Sequence, residues 1–430
     1  MSEGTNTYSV DRASGLSMNK QPETQFETRI RRRPYLRVAA TAGIASATLG
    51  GTGTVAAQDD AETTRQYNVG HETEAGREHA RDVAVEVHHE FEALDITTVN
   101  VAESDLDALG DHEDIRFVEE NIERSLDLPD SDPEHQLEDE LEAEQWNPWG
   151  VERIGALAAH ERGETGCGVH VAVIDTGIDP THEDLHANIG EGVAFVETTI
   201  ESTQEWADDF GHGTHVSGTI AALDNDIGVV GVSPSARLHP VKVLDNQGTG
   251  TDADIAAGIE YAARKGYDIA NLSVGEPETT QTQTEAVKFA YEEGLLLVAA
   301  TGNDGHPKVD YPADLDEVIG VSATAKDDSL APFSNTGPEV NLAAPGSPVL
   351  STIPGSKYGV MEGTSMATPH VSGSAALLAA HGLSNAEIRD ILTASAENIG
   401  LGPDAEGSGL VNASAALKRL DTMEPEVPSE

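Results

Sequence analysis

The sequence predicts an α/β fold for residues 144–417, a mostly parallel sheet flanked by helices on both faces, preceded by a small α+β domain. Three observations lead there. Short apolar runs recur at His170 to Ile174, Leu238 to Leu244, Asp268 to Val274, Gly294 to Ala300, Val318 to Ala323 and Val340 to Ala344. Runs this continuous suit strands buried on both faces, as in parallel sheets, better than the alternating pattern of a half-exposed strand. Helical stretches lie between several of the runs, including Asp252 to Lys265 and Thr284 to Glu293, and such alternation builds a helix-covered sheet. Finally, Ser384-Asn385-Ala386-Glu387 is a capping box. Its hydroxyl and its glutamate satisfy orphan N–H groups of the first turn, so a helix starts there and runs to about Ala396.

The elements ahead of this domain follow in order. Residues 1–57 contain Arg32-Arg33-Pro34-Tyr35-Leu36-Arg37, a run of small and apolar residues from Val38 to Leu49, and Val55-Ala56-Ala57 before Gln58-Asp59. Basic start, short apolar stretch and small-residue cleavage site make an export signal, and the paired arginines resemble the twin-arginine type. The apolar stretch is too short and too rich in Gly, Ala and Thr for a stable membrane anchor. We therefore expect a secreted, soluble product. Residues 58–143 carry strand-like pieces at Gln66 to Val69 and Ile115 to Val118, with an amphipathic helix near Thr73 to His89 and a helix-like Ser104 to Leu109 between them. Such a unit is too small and polar to have much core of its own. Asp127 to Glu144, with Pro129, Pro133 and many acids, reads as an exposed, cleavable linker. Residues 418–430, with Pro425 and Pro428, read as a frayed tail.

Of 430 residues, 25 are Lys or Arg and 76 Asp or Glu, a net charge of −51, while 38% hydrophobic content is enough for a packed core. Such charge repels nucleic acid and anionic membranes. The acids run through segments that also carry apolar periodicity, which points to a folded protein with a carboxylate surface kept hydrated in concentrated salt. At molar salt the Debye length is about 3 Å, so self-repulsion is screened. Cys167 is the single cysteine; no intramolecular disulfide is available, and its place just before a strand reads as small-residue packing.

Gly363-Thr364-Ser365-Met366-Ala367-Thr368-Pro369-His370 sets a serine at a turn into an alanine-rich, helix-like run. Serine is a poor nucleophile without a base beside it and an acid to orient the base. Asp175 ends the run His170 to Ile174, and His212 opens Gly211-His212-Gly213-Thr214-His215-Val216. In open parallel sheets, ligands sit beyond the carboxyl ends of the strands; Asp175, Ser273 and Asn303 all fall there. Asp175-Thr176-Gly177 alone would fit an aspartic protease, but no second copy exists. His212 with His215 lacks the glutamate of a zinc-binding helix, and His215 is assigned to packing.

Taken together, Val173-Ile174-Asp175-Thr176-Gly177-Ile178-Asp179, Gly211 to Val216 and Gly363 to His370 resemble the acid, base and nucleophile segments of the subtilisin-like serine proteases, over nearly all of residues 145–417. With the acidity and the export signal, the resemblance is to halolysin-type extracellular proteases. It implies that Asp175 orients His212, that His212 activates Ser365, and that Asn303 stabilises the oxyanion. It implies too that Gly248, Thr249 and Gly250 pair with one side of an extended peptide and Ser273, Val274 and Gly275 with the other, which favours broad specificity. Glu276 and Thr301 depart from the family's usual glycine and alanine. Asp304 and Asp310 align near the rim of the primary pocket, where a charge could favour Lys or Arg next to the cut, but in a chain this acidic they read as surface adaptation. Structural calcium (Ca2+) is implied at the loop Leu223 to Val229 that interrupts the His212 helix, through Leu223, Asn225, Ile227 and Val229, with Gln145 and Asp184 at its other ligand positions. Residues 58–143 resemble an inhibitory propeptide whose last strand is Ile115 to Asn121, with self-cleavage near Ala143–Glu144. The expected partners are peptide and protein substrates and the chain's own propeptide, with the mature enzyme a monomer. A maturation protease for one partner and a catalytically silent peptide-binding protein are the alternatives.

Overall fold

The computed structural model describes residues 63–126, 128, 135–136, 145–196 and 204–423. The export signal, almost all of the acidic linker and residues 424–430 lie outside the described residues.

The N-terminal module runs β1 (Thr64–His71), α1 (Glu74–Val83), β2 (Glu86–Glu90), β3 (Ile96–Ala102), α2 (Leu106–Gly110), β4 (Ile115–Glu120) and β5 (Glu123–Ser125). Strands β2, β3, β1 and β4 form an antiparallel sheet in that order. The Thr73 hydroxyl caps α1 by accepting from the N–H groups of Ala75 and Gly76. The helix expected to reach His89 stops at Val83, and His88 and His89 lie in β2. The reason is β3, which the sequence reading left unassigned. Its β-branched Ile96, Thr97, Thr98, Val99 and Val101 suit a pleated surface, and the Val85 N–H joins it by donating to the Asn100 carbonyl at 2.8 Å. The module's own core is small, chiefly Val69, Ala80, Val99, Val101 and Leu109. Phe91, Leu94 and Ile96 pack instead into the core of the larger domain.

That domain contains β6 (His135–Gln136), α3 (Trp149–Arg153), α4 (Ala156–His160), β7 (His170–Asp175), β8 (Val193–Ala194), α5 (His212–Ala221), β9 (Arg237–Lys242), β10 (Thr249–Thr251), α6 (Asp252–Arg264), β11 (Ile269–Leu272), α7 (Gln281–Glu292) and β12 (Leu296–Ala300). It continues through β13 (Val318–Ala325), β14 (Val340–Ser347), β15 (Val349–Ile353), β16 (Lys357–Met361), α8 (Thr364–Ala379), α9 (Asn385–Ser395), α10 (Pro403–Glu406) and α11 (Ala413–Thr422). Seven strands form one sheet in the order β14-β13-β12-β11-β7-β9-β8, and every pairing in it is parallel. Side chains of β7 alternate between two cores: Val171 and Val173 face one layer, Ala172 and Ile174 the other. Because both faces are covered, the strands carry apolar residues on both sides rather than alternating with polar ones, the pattern from which the sequence predicts them, with Asn271, His239 and Ser322 among the polar exceptions. The first layer contains α5, α8, α9 and α11, and the second α6 and α7. Strand order reverses about β7: the chain goes to β9 and β8 on one side and to β11 through β14 on the other. The carboxyl end of β7 is thus a topological switch point, where such sheets open a crevice.

Helix α8 is buried all round. Helix α5 is followed by an excursion and then resumed in its hydrogen bonding, since the N–H groups of Val232 and Ser233 donate to the carbonyls of Thr219 and Ile220 at 3.0 and 2.8 Å. The expected capping box at Ser384 is present, with Glu387 as its partner. The chain end differs from expectation: Asn412 caps α11, which holds residues to Thr422 against α9, so the order extends past Leu417.

Alanine has the better helix propensity by about 1 kcal/mol, yet Gly373→Ala should destabilise the protein by about 1–3 kcal/mol. A Cβ there would stand 2.5 Å from the Val232 Cβ, with neither atom free to move aside. Denaturant midpoints of the two proteins in the same concentrated salt would measure it.

Candidate active site

Asp175 is the last residue of β7 and His212 the first of α5. Both are buried, and His212 Nδ1 lies 2.8 Å from Asp175 Oδ1 and 2.9 Å from Oδ2. The elements that carry them meet closely: a Cβ on Gly213 would collide with the Gly177 carbonyl oxygen, and one on Gly177, itself at φ 106°, with the Trp206 carbonyl oxygen. The Asp175 Oδ1 also accepts the Thr176 N–H at 2.7 Å, and the Thr176 hydroxyl accepts the Gly213 N–H at 2.9 Å. Burial opposes charge on His212, but the Asp175 carboxylate outweighs it and holds the imidazole above its ordinary value of 6.5.

Asp208, which the sequence reading did not single out, builds the start of α5. Its Oδ1 accepts the N–H groups of Phe210 and Gly211 and the Thr176 hydroxyl; its Oδ2 accepts the N–H and hydroxyl of Thr214. A buried carboxylate at a helix N-terminus satisfies orphan donors and complements the helix dipole. The signal available was an acid shortly before a helix start, too common in this acidic chain to stand out. Lys242, also missed, is fully buried beneath the site and donates to the carbonyls of Thr176 and Leu244 and to Asp209.

Ser365 is the second residue of α8, which packs against α5. Its hydroxyl donates to the Ser273 carbonyl at 3.1 Å, while the Ser273 hydroxyl donates to the Ser365 carbonyl at 2.9 Å. His212 Nε2 is buried and has no hydrogen-bond partner. The expected serine-to-histidine hydrogen bond is therefore not formed; the serine's single proton has gone to a carbonyl. Turning χ1 between staggered wells is the motion that changes a hydroxyl's acceptor, and such bonds commonly tighten only with substrate in place. Asn303 Oδ1 accepts the N–H and hydroxyl of Thr364 at 2.8 and 3.0 Å, so the neighbour of Ser365 fixes the orientation of the amide. His215 is buried against the Val349 carbonyl, and burial takes it down to about 3.

Strand β10 carries Thr249 and Gly250, and Gly248 precedes it with φ 73°. It pairs antiparallel with β5 of the N-terminal module. Ser273, Val274 and Gly275 follow β11 and make no backbone hydrogen bond to β5 among the described residues. Thr301 is buried, its hydroxyl donating to the Val321 carbonyl at 3.1 Å. Two expectations fail. Asp310 is buried behind Gly302 rather than on the surface, because strand ends close over it. Cys167 is exposed, because it occupies a turn between Gly166 and Gly168, both at positive φ.

At the implied calcium positions, Asp184 Oδ2 accepts the Val229 N–H at 2.9 Å, whereas Oδ1 is buried without a partner. Burial pushes this carboxyl up to about 6. Gln145 Nε2 donates to the carbonyls of Leu223 and Val229 at 2.6 and 3.4 Å, so its amide must turn over to offer Oε1 to a cation, and Asn225 Oδ1 accepts the Ile227 N–H at 3.2 Å. One orphaned carboxylate oxygen beside converging carbonyls is a donor set for a hard cation. No group of three or more His, Cys, Asp or Glu is placed to hold a metal among the described residues, so any ion here depends on carbonyl and amide oxygens.

A wholly parallel sheet with an Asp–His pair at its switch point and a helix-start serine beside it defines an α/β serine hydrolase. Residues 166–415 match the Subtilase family, and the chain belongs to that family of serine endopeptidases. It is 44% identical over 339 residues to an alkaline protease of Shouchella clausii, covering 78% of this chain and 83% of that one. It is 50% identical over 273 residues to subtilisin Savinase of Lederbergia lenta, 63% of this chain and 98% of that one. A thermostable alkaline protease of Halalkalibacterium halodurans is 40% identical over 336 residues, 78% and 86% of the two chains.

Only a neutral imidazole can accept a proton, so kcat/KM should fall on acidification with a midpoint above 6.5. Asp175→Asn should lower kcat by roughly 10⁴ and move that midpoint down. A pH–rate profile of both proteins on one peptide would show it.

Proposed function

We propose that this subtilase is a secreted, salt-adapted endopeptidase of broad specificity, of the halolysin kind, made as a proenzyme that processes itself. The observation that carries the reading is the buried Asp175–His212 contact at 2.8 Å, at the switch point of the sheet and next to the helix that bears Ser365. Asp175 fixes the tautomer that leaves Nε2 free to take the Ser365 proton. Ser365 Oγ then attacks the substrate carbonyl. The resulting oxyanion is held by the Asn303 amide and the Ser365 N–H, which the first turn of α8 leaves without an intrahelical acceptor. His212 passes the proton to the leaving amine, and water releases the acyl group by the same route. Gly248 to Gly250 and Ser273 to Gly275 bind substrate through its backbone, which reads few side chains.

Salt adaptation rests on the net charge of −51. Secretion rests on the twin-arginine segment; no helix of the described residues is long and apolar enough to cross a membrane. The N-terminal module acts as propeptide and inhibitor. It is tied to the catalytic domain by Arg116 on Glu285 and by Glu119, which accepts the N–H groups of Gln281 and Thr282 at the start of α7. Final processing near Ala143–Glu144 leaves Gln145 close to the new N-terminus, and the mature enzyme works as a monomer. Calcium is held by Gln145, Asp184 and Asn225 side chains with the carbonyls of Leu223, Ile227 and Val229, and closes the loop after α5.

Casein hydrolysis measured from low to multimolar salt tests the reading: activity should rise with salt, and Ser365→Ala should give neither hydrolysis nor processing, accumulating the uncut precursor. Equal activity at all salt concentrations would reject the salt adaptation.

Chelation of the mature enzyme should lower its Tm, and added Ca2+ should restore it. An Asp184→Asn variant should lose that response, which differential scanning calorimetry reads directly.

A further inference from the structure

The groove wall formed by β10 already holds a peptide-like strand. In β5, Ser125 lies opposite Thr249, Arg124 opposite Gly250 and Glu123 opposite Thr251. The Leu126 N–H then donates to the Gly248 carbonyl at 2.9 Å. A chain laid along a strand edge in this way has the pose of a bound substrate, and its side chains report what the groove accepts.

Arg124 turns into the protein and is only 6% exposed. Its Nε donates to Asp252 Oδ1 at 2.7 Å and its Nη2 to Oδ2 at 3.3 Å; Nη2 also donates to the Glu278 carbonyl at 3.2 Å, and Nη1 stands 3.5 Å from Glu276 Oε2. Asp252, the first residue of α6, is fully buried and is held in place by Gln283 Nε2 at 2.6 Å. Burial pushes both carboxyls up, Glu276 to about 7. The ion pairs of Asp252 and Glu276 among the described residues are all with Arg124. Once this segment leaves, no cation of the catalytic domain lies against either carboxylate among the described residues, and an incoming guanidinium restores the lost pairing. The fork geometry suits arginine better than lysine. Glu276 is also where the family resemblance leads one to expect glycine, so the feature belongs to this chain.

The register relative to the catalytic centre follows from Leu126. A Cβ on Gly248 would meet Leu126 Cδ1 at 3.2 Å and the Phe210 ring at 3.3 Å, and Phe210 stands two residues before His212. We take the side chain beside the histidine's loop as the second before a substrate's cleaved bond, because that loop leads directly into His212, which must reach the leaving amine; the register is that of a bound substrate, not of the chain's own processing near Ala143–Glu144. Arg124 is then the fourth.

We propose that Asp252, Glu276 and the Glu278 carbonyl form a subsite that selects arginine at the fourth residue before the cleaved bond. The proposal rests on the endopeptidase reading above and narrows it. Main-chain pairing remains permissive, while a neutral or acidic side chain at this one position leaves buried carboxylates unpaired, the kind of mismatch a polar site rejects most strongly.

The test uses the mature enzyme in salt at which it hydrolyses casein, with internally quenched peptides of one sequence carrying Arg, Lys, norleucine or Glu at each of the five positions before the cut. Arg should exceed norleucine in kcat/KM by about tenfold to a hundredfold at the fourth position alone. Asp252→Asn combined with Glu276→Gln should bring that ratio close to one, and Glu276→Arg should shift the preference towards Glu. The scan of the unmodified enzyme decides the matter even if a variant fails to fold. Casein hydrolysis with equal cleavage of Arg and norleucine peptides overturns the subsite and leaves the endopeptidase standing; a preference peaking at another position overturns the assignment. Absence of all hydrolysis overturns both.

Discussion

The contact between the Asp175 carboxylate and the His212 ring is the constraint around which the molecule is built. A charged group without access to water is stable only when its surroundings supply hydrogen bonds in the right places. Here those come from the Thr176 N–H and from the close meeting of the β7 end with the α5 start, at glycines where any side chain would collide. Asp208 performs a parallel task one layer out, gathering the first N–H groups of α5 so that the helix begins at the histidine. Lys242 lies below both, tying the Thr176 carbonyl to Asp209. The sheet positions one partner, the helix the other, and buried polar groups hold the seam.

The acids of this chain do two kinds of work. Most of those among the described residues are exposed or half-buried and give the surface its negative charge. A smaller set is buried or half-buried, and there each carboxylate acts through particular partners: Asp208 at a helix start, Asp184 with an orphaned oxygen against the loop after α5, Asp252 and the half-buried Glu276 around an arginine of the N-terminal module. Composition cannot separate the two groups, because an acid in a loop and an acid in a pocket look alike in a chain with 76 of them. Burial does separate them, and with it their chemistry, since only a carboxylate removed from water gains appreciably from a single matched cation.

The N-terminal module joins these themes. Its own core is slight, and it borrows more by setting Phe91, Leu94 and Ile96 against α6. Glu119 completes the start of α7, and Asn121 Oδ1 accepts the N–H of Ala253 in the first turn of α6. Both helix starts in the second layer are therefore finished by residues of the module, and its last strand lies in the groove. A unit that caps helices and fills a binding cleft has its order tied to the domain it covers.

What the sequence by itself determined was whatever depends on local pattern. The parallel strands were legible because burial on both faces demands unbroken apolar runs, and the Ser384 capping box because its two partners are three residues apart. Asp175, His212 and Ser365 were legible because each stands where an element begins or ends, among glycines that close packing requires. Only the tertiary structure decided what depends on partners distant in sequence. Strand β3 turned the expected end of α1 into β2, Asp310 and Cys167 exchanged their expected inside and outside places, and the Ser365 hydroxyl donated its hydrogen bond to the Ser273 carbonyl. The meeting of Arg124 with Asp252, 128 residues apart, belongs to the same kind. Periodicity reports which face of an element is buried, but it carries no information about which charged group from another part of the chain will lie against it.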